Sequence, residues 1–240
     1  MTTTGTAVFN LDVNDFFEEA FERCGKELRT GYDFRTARRS LNLLTVEWAN
    51  RGINLWTIEQ GSIPLVQGTI AYDLPVDTID LLDHVVRTGT GQNQTDININ
   101  RISVSTYSTI PNKNATGRPI QVWVNRQSGA TNPGSPNTIN SPQINVWPAP
   151  DQSEFYTFVY WRLRRIQDTG TGVSTADIPF RFLNAMVAGL AYYLAMKLQN
   201  VDANRIVGLK ADYDQQFQLA ADEDREKASD RYVPRVQFYR

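Results

Sequence analysis

The spacing of apolar residues changes twice along the chain and divides it into three stretches. Apolar residues recur every three to four positions over residues 11–51 and again over 178–230, which predicts helices near both ends. Between them, residues 53–166 alternate apolar and polar positions and are rich in turn residues, which predicts strands and loops. We therefore expect an α+β protein in which a helical core domain, residues 1–52 and 167–230, carries a β-rich insertion over 53–166.

The helical stretches predict four helices that close into a core bundle. Asp12 is a candidate cap for the first helix, and the second begins after Asp33. Asp177 is the candidate cap of the third helix, and the fourth begins near Asp202. The expected helices cover residues of about 12–30, 34–51, 178–199 and 202–230.

The β-rich stretch contains three features with specific expectations. Gln67-Gly68 separates two apolar runs as the turn of a hairpin would, and Pro64 in the first run indicates an edge strand. Residues 155–166 are apolar or aromatic on both faces, which favours a central strand. Residues 126–143 are almost free of apolar side chains and predict a long loop.

Composition and charge exclude several classes of protein. The 240 residues carry 24 Lys and Arg against 26 Asp and Glu, a net charge of −2, which argues against a DNA-coating or polybasic membrane-surface protein. The single Cys24 excludes an intrachain disulfide and a multi-cysteine zinc site, and the single His84 excludes a multi-histidine metal cluster. Without an apolar run of about 18 residues or a signal-peptide pattern, we expect a cytoplasmic protein with no membrane contact.

Few residues remain for catalysis. His84 follows Asp83, but adjacent side chains of a strand point to opposite faces, so we expect a structural histidine. A glycosidase needs two converging carboxylates. The available candidates are Glu47, Glu59, Asp73 and Asp80, and the sequence does not show that any two converge. The acidic run 222–224 is expected on a solvated helix face rather than around a metal. We therefore expect no catalytic residue, cofactor or metal.

Arginines and aromatic residues indicate binding surfaces. Three arginines lie off the apolar stripe of the second helix, which indicates a solvated face or contact with a neighbouring subunit or nucleic acid: Arg35, Arg38 and Arg39. A DNA-binding module would also use the arginines at 162, 164 and 165. The five tryptophans lie at periodic positions, which favours packing over base stacking. Pro234 stops the last helix, and the Arg-, Tyr- and Phe-rich residues 231–240 indicate a segment that docks on another subunit, with simple disorder as the alternative.

Several ordered motifs resemble the head-to-tail adaptor proteins of short-tailed bacteriophages (podoviruses). The resemblance covers most of residues 13–233 and is carried by EWANRGINLW (47–56), YDLP (72–75), GRP (117–119), WPAPD (147–151), VYWRLRR (159–165) and IPFRF (178–182).

This resemblance implies a structural virion protein rather than an enzyme. Such adaptors form a ring, usually a dodecamer, that joins the portal protein to the tail nozzle or tail fibre proteins after genome packaging. The ring lies at the neck and extends the channel through which double-stranded DNA passes without sequence-specific binding. In these adaptors the C-terminal segment engages the portal, and by position this role falls on Arg231, Tyr232, Val233, Pro234, Arg235, Val236, Gln237, Phe238, Tyr239 and Arg240.

We therefore favour a ring-forming adaptor that acts in the virion and is assembled in the host cytoplasm. Two alternatives stay open: a virion-associated cell-wall glycosidase that uses a carboxylate pair, and a DNA-binding module that uses the arginines.

Overall fold

The computed structural model describes residues 11–52, 55–127 and 141–224, together with Gly5, Phe9 and the backbone of 131–132 and 135–139. The predicted docking tail, 231–240, and the end of the fourth predicted helix, 225–230, lie outside these residues. The chain divides into two compact units, which are described separately. We call them the helical unit, within Met1–Leu55 and Gln167–Arg240, and the β unit, Trp56–Ile166.

The fold is mixed α+β, as predicted. The helices of the described residues are α1 (Val13–Arg23), α2 (Gly31–Arg51), α3 (Val104–Ser108), α4 (Leu183–Ala195) and α5 (Ala203–Glu223). The strands are β1 (Ile58–Pro64), β2 (Ala71–Asp73), β3 (Thr78–Thr88), β4 (Thr95–Asn98), β5 (Asn100–Ile102), β6 (Gln121–Asn125), β7 (Thr131–Asn132), β8 (Ser135–Ile139), β9 (Gln143–Trp147) and β10 (Tyr156–Arg164).

The predicted start of α1 is confirmed, but its predicted end is wrong. Asp12 caps the helix by accepting a hydrogen bond from the Asp15 amide at 2.9 Å, and the Asp15 carboxylate accepts from the Asp12 amide at 3.1 Å. The helix ends at Arg23 instead of residue 30, because Gly25 has a φ of +73° that terminates the helical path.

The second helix begins three residues before its predicted start. Thr30 is the cap of α2, and Asp33 is the third helical residue: its amide donates to the Thr30 hydroxyl and its carboxylate accepts from the Thr30 amide at 3.0 Å. The predicted end is confirmed, since Gly52 adopts a left-handed conformation directly after Arg51.

The third helix is shorter than the predicted 178–199. A 3-10 turn over Phe180–Phe182 precedes α4, which ends at Ala195. Asp177 does not cap α4, because its carboxylate accepts from the Gln167 amide at 3.0 Å. Asp202 does cap α5, by accepting from the Asn204 amide. Helix α4 is buried over most of its surface and contacts α1, α2 and α5.

Two four-stranded sheets enclose the core of the β unit. Their strand orders are β1-β10-β3-β4 and β2-β9-β6-β5, and every pair is antiparallel except β5 with β6. The central position of β10 and the edge position of β1, which ends at Pro64, confirm both predictions. Side chains of both sheets share one apolar cluster, with Phe158 from the first and Ile144 from the second fully buried.

The predicted hairpin around Gln67-Gly68 is wrong, because β1 and β2 belong to different sheets. The chain does turn here, with Gly68 at a φ of +73°, but it crosses from one sheet to the other. The Tyr72 hydroxyl holds the crossing: it accepts from the Val66 amide at 2.9 Å and lies 3.1 Å from the carbonyl oxygens of Val66 and Thr69. The predicted loop 126–143 is also wrong in part, since β7 and β8 pair antiparallel within it.

Candidate assembly interface

The predicted docking tail lies outside the described residues, and the candidate interfaces among those residues are the exposed helix faces of the helical unit. One of them, which we call the basic face, lies on α2 opposite its buried stripe of Ala37, Leu41, Leu44 and Trp48. It consists of Tyr32, Arg35, Arg39, Leu43 and Val46, which follow one another at helical spacing. Its apolar members are highly exposed: 65% for Tyr32, 55% for Leu43 and 57% for Val46.

The arginines of this region have no carboxylate partner in the part of the chain that the structure describes. Arg35 Nε donates to the Gly31 carbonyl at 3.3 Å, and Arg38 Nε donates to the Thr169 carbonyl at 3.1 Å. Together with Tyr32 and Arg39 they line a depression of about 410 Å³. Their charge is therefore available to an anionic partner.

A second exposed face, which we call the acidic face, lies on α1. It consists of the carboxylates of Asp15, Glu18, Glu19 and Glu22, opposite the buried stripe that includes Phe16 and Phe21, and Leu11, which precedes the helix, borders it. Glu19 pairs with Arg23 at 2.9 Å, whereas the carboxylates of Glu18 and Glu22 have no ion-pair partner in the described ranges. Leu183, Asn184 and Val187 of α4 border the same surface, and the groove between α1 and α4 has a volume of about 440 Å³.

A partly buried polar network holds α2 against α4 and α5. Trp48 Nε1 donates to the Tyr213 hydroxyl at 2.9 Å, and Glu47 Oε2 accepts from Tyr193 at 2.7 Å and from Tyr213 at 3.4 Å. Glu47 also pairs with Arg51, whose guanidinium lies over the Phe217 ring. Burial and the neighbouring Glu47 carboxylate raise the pKa of Tyr193 to about 12, so the hydroxyl keeps its proton and remains a donor.

The candidate catalytic carboxylates are engaged in other contacts. Glu47 belongs to the network just described, and Glu59 bridges two arginines. Asp73 accepts from Gln143 Nε2 at 2.7 Å, and Asp80 pairs with Arg101 at 2.7 Å. These four carboxylates therefore have four different sets of partners among the described residues.

Two of the candidate DNA-binding arginines are already paired with acidic residues. Arg162 donates to Asp77 at 2.5 Å and to Glu59 at 2.7 Å, and Arg164 donates to Glu59 at 2.7 Å. Both guanidinium side chains are only 12% exposed. They tie β10 to β1, and their charge is largely compensated by neighbours, unlike that of the arginines on α2.

His84 lies in a buried position on β3. Its ring stacks on Phe158 with the centroids 5.8 Å apart. Asp83 accepts from the His84 backbone amide and not from the ring. Burial lowers the pKa of the imidazole, which fits a neutral packing residue.

The expectation of a solvated acidic run at 222–224 is wrong for its last residue. Asp224 caps the end of α5 with a fully buried side chain, and it pairs with Arg181. The ion pair with Arg181 explains how the negatively charged Asp224 can lie buried at the end of α5. Among the described residues, no group of three or more His, Cys, Asp or Glu side chains could hold a metal ion.

The tryptophans divide between core and partly exposed positions. Trp48 is fully buried and packs on Phe182 and Phe217. Trp123 is half-buried and stacks on Tyr107, and Trp147 donates its indole N–H to the Asn112 carbonyl at 3.0 Å. Packing therefore accounts for these side chains.

Comparison with known proteins decides the family. The family model described as SU10 adaptor protein matches residues 14–237. The chain belongs to this family. Membership makes it a phage adaptor-type structural protein and a component of the virion, and the match spans the helical unit and the β unit alike. A search of curated proteins gives no match. No helix of the described residues in this adaptor is long and apolar enough to cross a membrane.

Proposed function

We propose that this adaptor assembles into a closed ring, most simply a dodecamer, that joins the portal of a short-tailed phage to its tail. In this proposal α1, α2, α4 and α5 act as the core bundle of each subunit, and the ring extends the DNA channel. The ring works by binding and not by turnover. Family membership supports the adaptor role, and the candidate catalytic carboxylates are engaged in other contacts.

The observation that carries the ring is the basic face of α2. Exposed aliphatic side chains beside unpaired arginines are typical of a surface that another protein covers. A two-fold axis that passes through this face would bring it against its own copy and place like charges together. A head-to-tail interface avoids this repulsion and closes into a ring when its rotation divides a full turn.

The portal contact is assigned to residues 231–240. Three arginines alternate there with Tyr232, Phe238 and Tyr239, residue types that are enriched at interface hot spots. Twelve such segments would bind together, so that a modest affinity per copy becomes a tight ring-to-ring contact.

Deletion of residues 231–240 tests this assignment. Purified portal particles are mixed with the full chain or with the truncated chain and separated by sedimentation, with far-UV circular dichroism as the control for folding. We expect the full chain to co-sediment and the truncated chain to remain in the supernatant. Equal co-sedimentation of both would refute the role of this segment.

A DNA-binding module is the second candidate, because the three arginines on α2 lack carboxylate partners among the described residues. A channel that lets DNA slide should bind duplex weakly, and the net charge of −2 supports weak binding. Duplex binding at about 150 mM salt with a steep salt dependence would favour this second candidate.

A further inference from the structure

We propose that the acidic face of α1 in one copy is the docking site for the basic face of α2 in the next copy. This inference rests on the proposed function and names the contact that would link the subunits of the ring. Its basis is the complementarity of two exposed faces on one helical unit, because a head-to-tail interface requires two different surfaces that fit each other.

The two faces carry opposite charges. Carboxylates that share one helix face repel one another, and so do arginines three or four positions apart. Each face therefore destabilises its own helix in the isolated subunit. Neither set is fully neutralised inside the chain: Glu18 and Glu22 on α1, and Arg35 and Arg39 on α2, have no ion-pair partner in the described stretches. Bringing the two faces together offsets both repulsions with attraction across the interface.

The charges of the two faces also have matching spacing. Glu18 and Glu22 are four positions apart on α1, and Arg35 and Arg39 are four positions apart on α2, which is about 6 Å of helix in both cases. An antiparallel alignment that opposes Glu18 with Arg39 also opposes Glu22 with Arg35.

The shape of the receiving surface also fits a helix. The acidic face borders a groove of about 440 Å³ between α1 and α4, where the partly buried Leu183 supplies apolar surface. A helix with aliphatic side chains beside its cations fits such a groove, with Leu43 and Val46 covered and the charges at the rim.

Charge reversal tests the pairing. One variant carries Arg35→Glu and Arg39→Glu, and the other carries Glu18→Arg and Glu22→Arg, which avoids the capping residue Asp15. Each variant alone places like charges across every interface. In an equimolar mixture both interfaces become complementary again, because each variant keeps one natural face and supplies one reversed face. Lys210→Glu on the exposed surface of α5 is the control for an unrelated change of charge.

Self-association is measured by sedimentation velocity over a range of concentrations, alone and on portal particles, with circular dichroism to verify folding. We expect each variant to associate at least about tenfold more weakly than the natural chain, and the mixture to recover to within about threefold. The Lys210→Glu control should behave like the natural chain.

Two results separate failure of the pairing from failure of the proposed function. If the natural chain assembles and both variants assemble equally well, or the mixture does not recover, the pairing is wrong and the ring uses another surface. If the natural chain assembles neither alone nor on portal particles, the ring and the pairing are both overturned. Unchanged assembly of the Arg35→Glu/Arg39→Glu variant with loss of duplex binding would assign the arginines to DNA and refute the pairing.

Discussion

The hydrogen bond between Trp48 and Tyr213 gives the sharpest prediction about what holds the helical unit together. Tyr213→Phe removes the hydroxyl that accepts from Trp48 Nε1 at 2.9 Å and leaves the ring in place. Trp48 is fully buried, so its indole N–H would have no acceptor and no access to water. An unsatisfied buried donor costs about 1–3 kcal/mol, and the weaker contact of Tyr213 with Glu47 at 3.4 Å adds little.

Urea denaturation followed by circular dichroism at 222 nm measures this cost, because the long helices all lie in the helical unit. With a denaturant slope of about 2 kcal/mol/M, the midpoint should fall by roughly 0.5–1.5 M. Tyr192→Phe is the matched control: its ring stacks near Tyr213, but its hydroxyl makes no hydrogen bond in the described part of the chain. If the urea midpoint of Tyr213→Phe is as close to that of the natural chain as the midpoint of Tyr192→Phe, the Trp48–Tyr213 hydrogen bond does not stabilise the helical unit.

Three further predictions concern other buried positions. Gly189→Ala should lower the free energy of unfolding by about 1–2 kcal/mol although alanine favours helices, because the new Cβ would lie 2.8 Å from the Tyr213 ring; thermal unfolding measures this. The folded state lowers the pKa of His84, so the contribution of His84 to the free energy of unfolding should be complete above pH 7 and should decrease as the pH drops below about 6.5. Urea titrations from pH 7.5 to 5 should show this dependence on pH, and it should be weaker in His84→Phe. Burial raises the pKa of Cys24 to about 11, so iodoacetamide at pH 8 should modify it only after unfolding, as mass spectrometry would show.

Sequence reasoning succeeded where the signal was local. The Asp12 cap and the stop at Gly52 depend on residues within one turn of the helix end, and both are found in the structure. The central position of β10 was also predictable, because a strand with bulky side chains on both faces must be covered on both. The helical spacing of the apolar residues also separated the arginines of α2 from the buried stripe of that helix.

Predictions were wrong where a contact with residues distant in the sequence determines the local structure. The turn at Gly68 has the composition of a hairpin, yet the neighbours of β1 and β2 come from residues more than 60 positions away, which no local pattern reveals. Asp177 resembles a helix cap but binds Gln167, and Asp224 resembles a solvated acid but pairs with Arg181. The two complementary helix faces could be identified only from the burial of each residue, which shows the side of each helix that is exposed to solvent.

Electron microscopy of purified portal particles mixed with the full chain shows whether copies of this adaptor form a ring on the portal. We expect an added layer of density on one end of each portal, with a rotational symmetry that matches or divides that of the portal. Each repeat of this layer should hold one copy of the helical unit and the β unit. Portal particles that gain no density from a correctly folded chain in molar excess, or that bind scattered single copies without symmetry, would contradict ring formation.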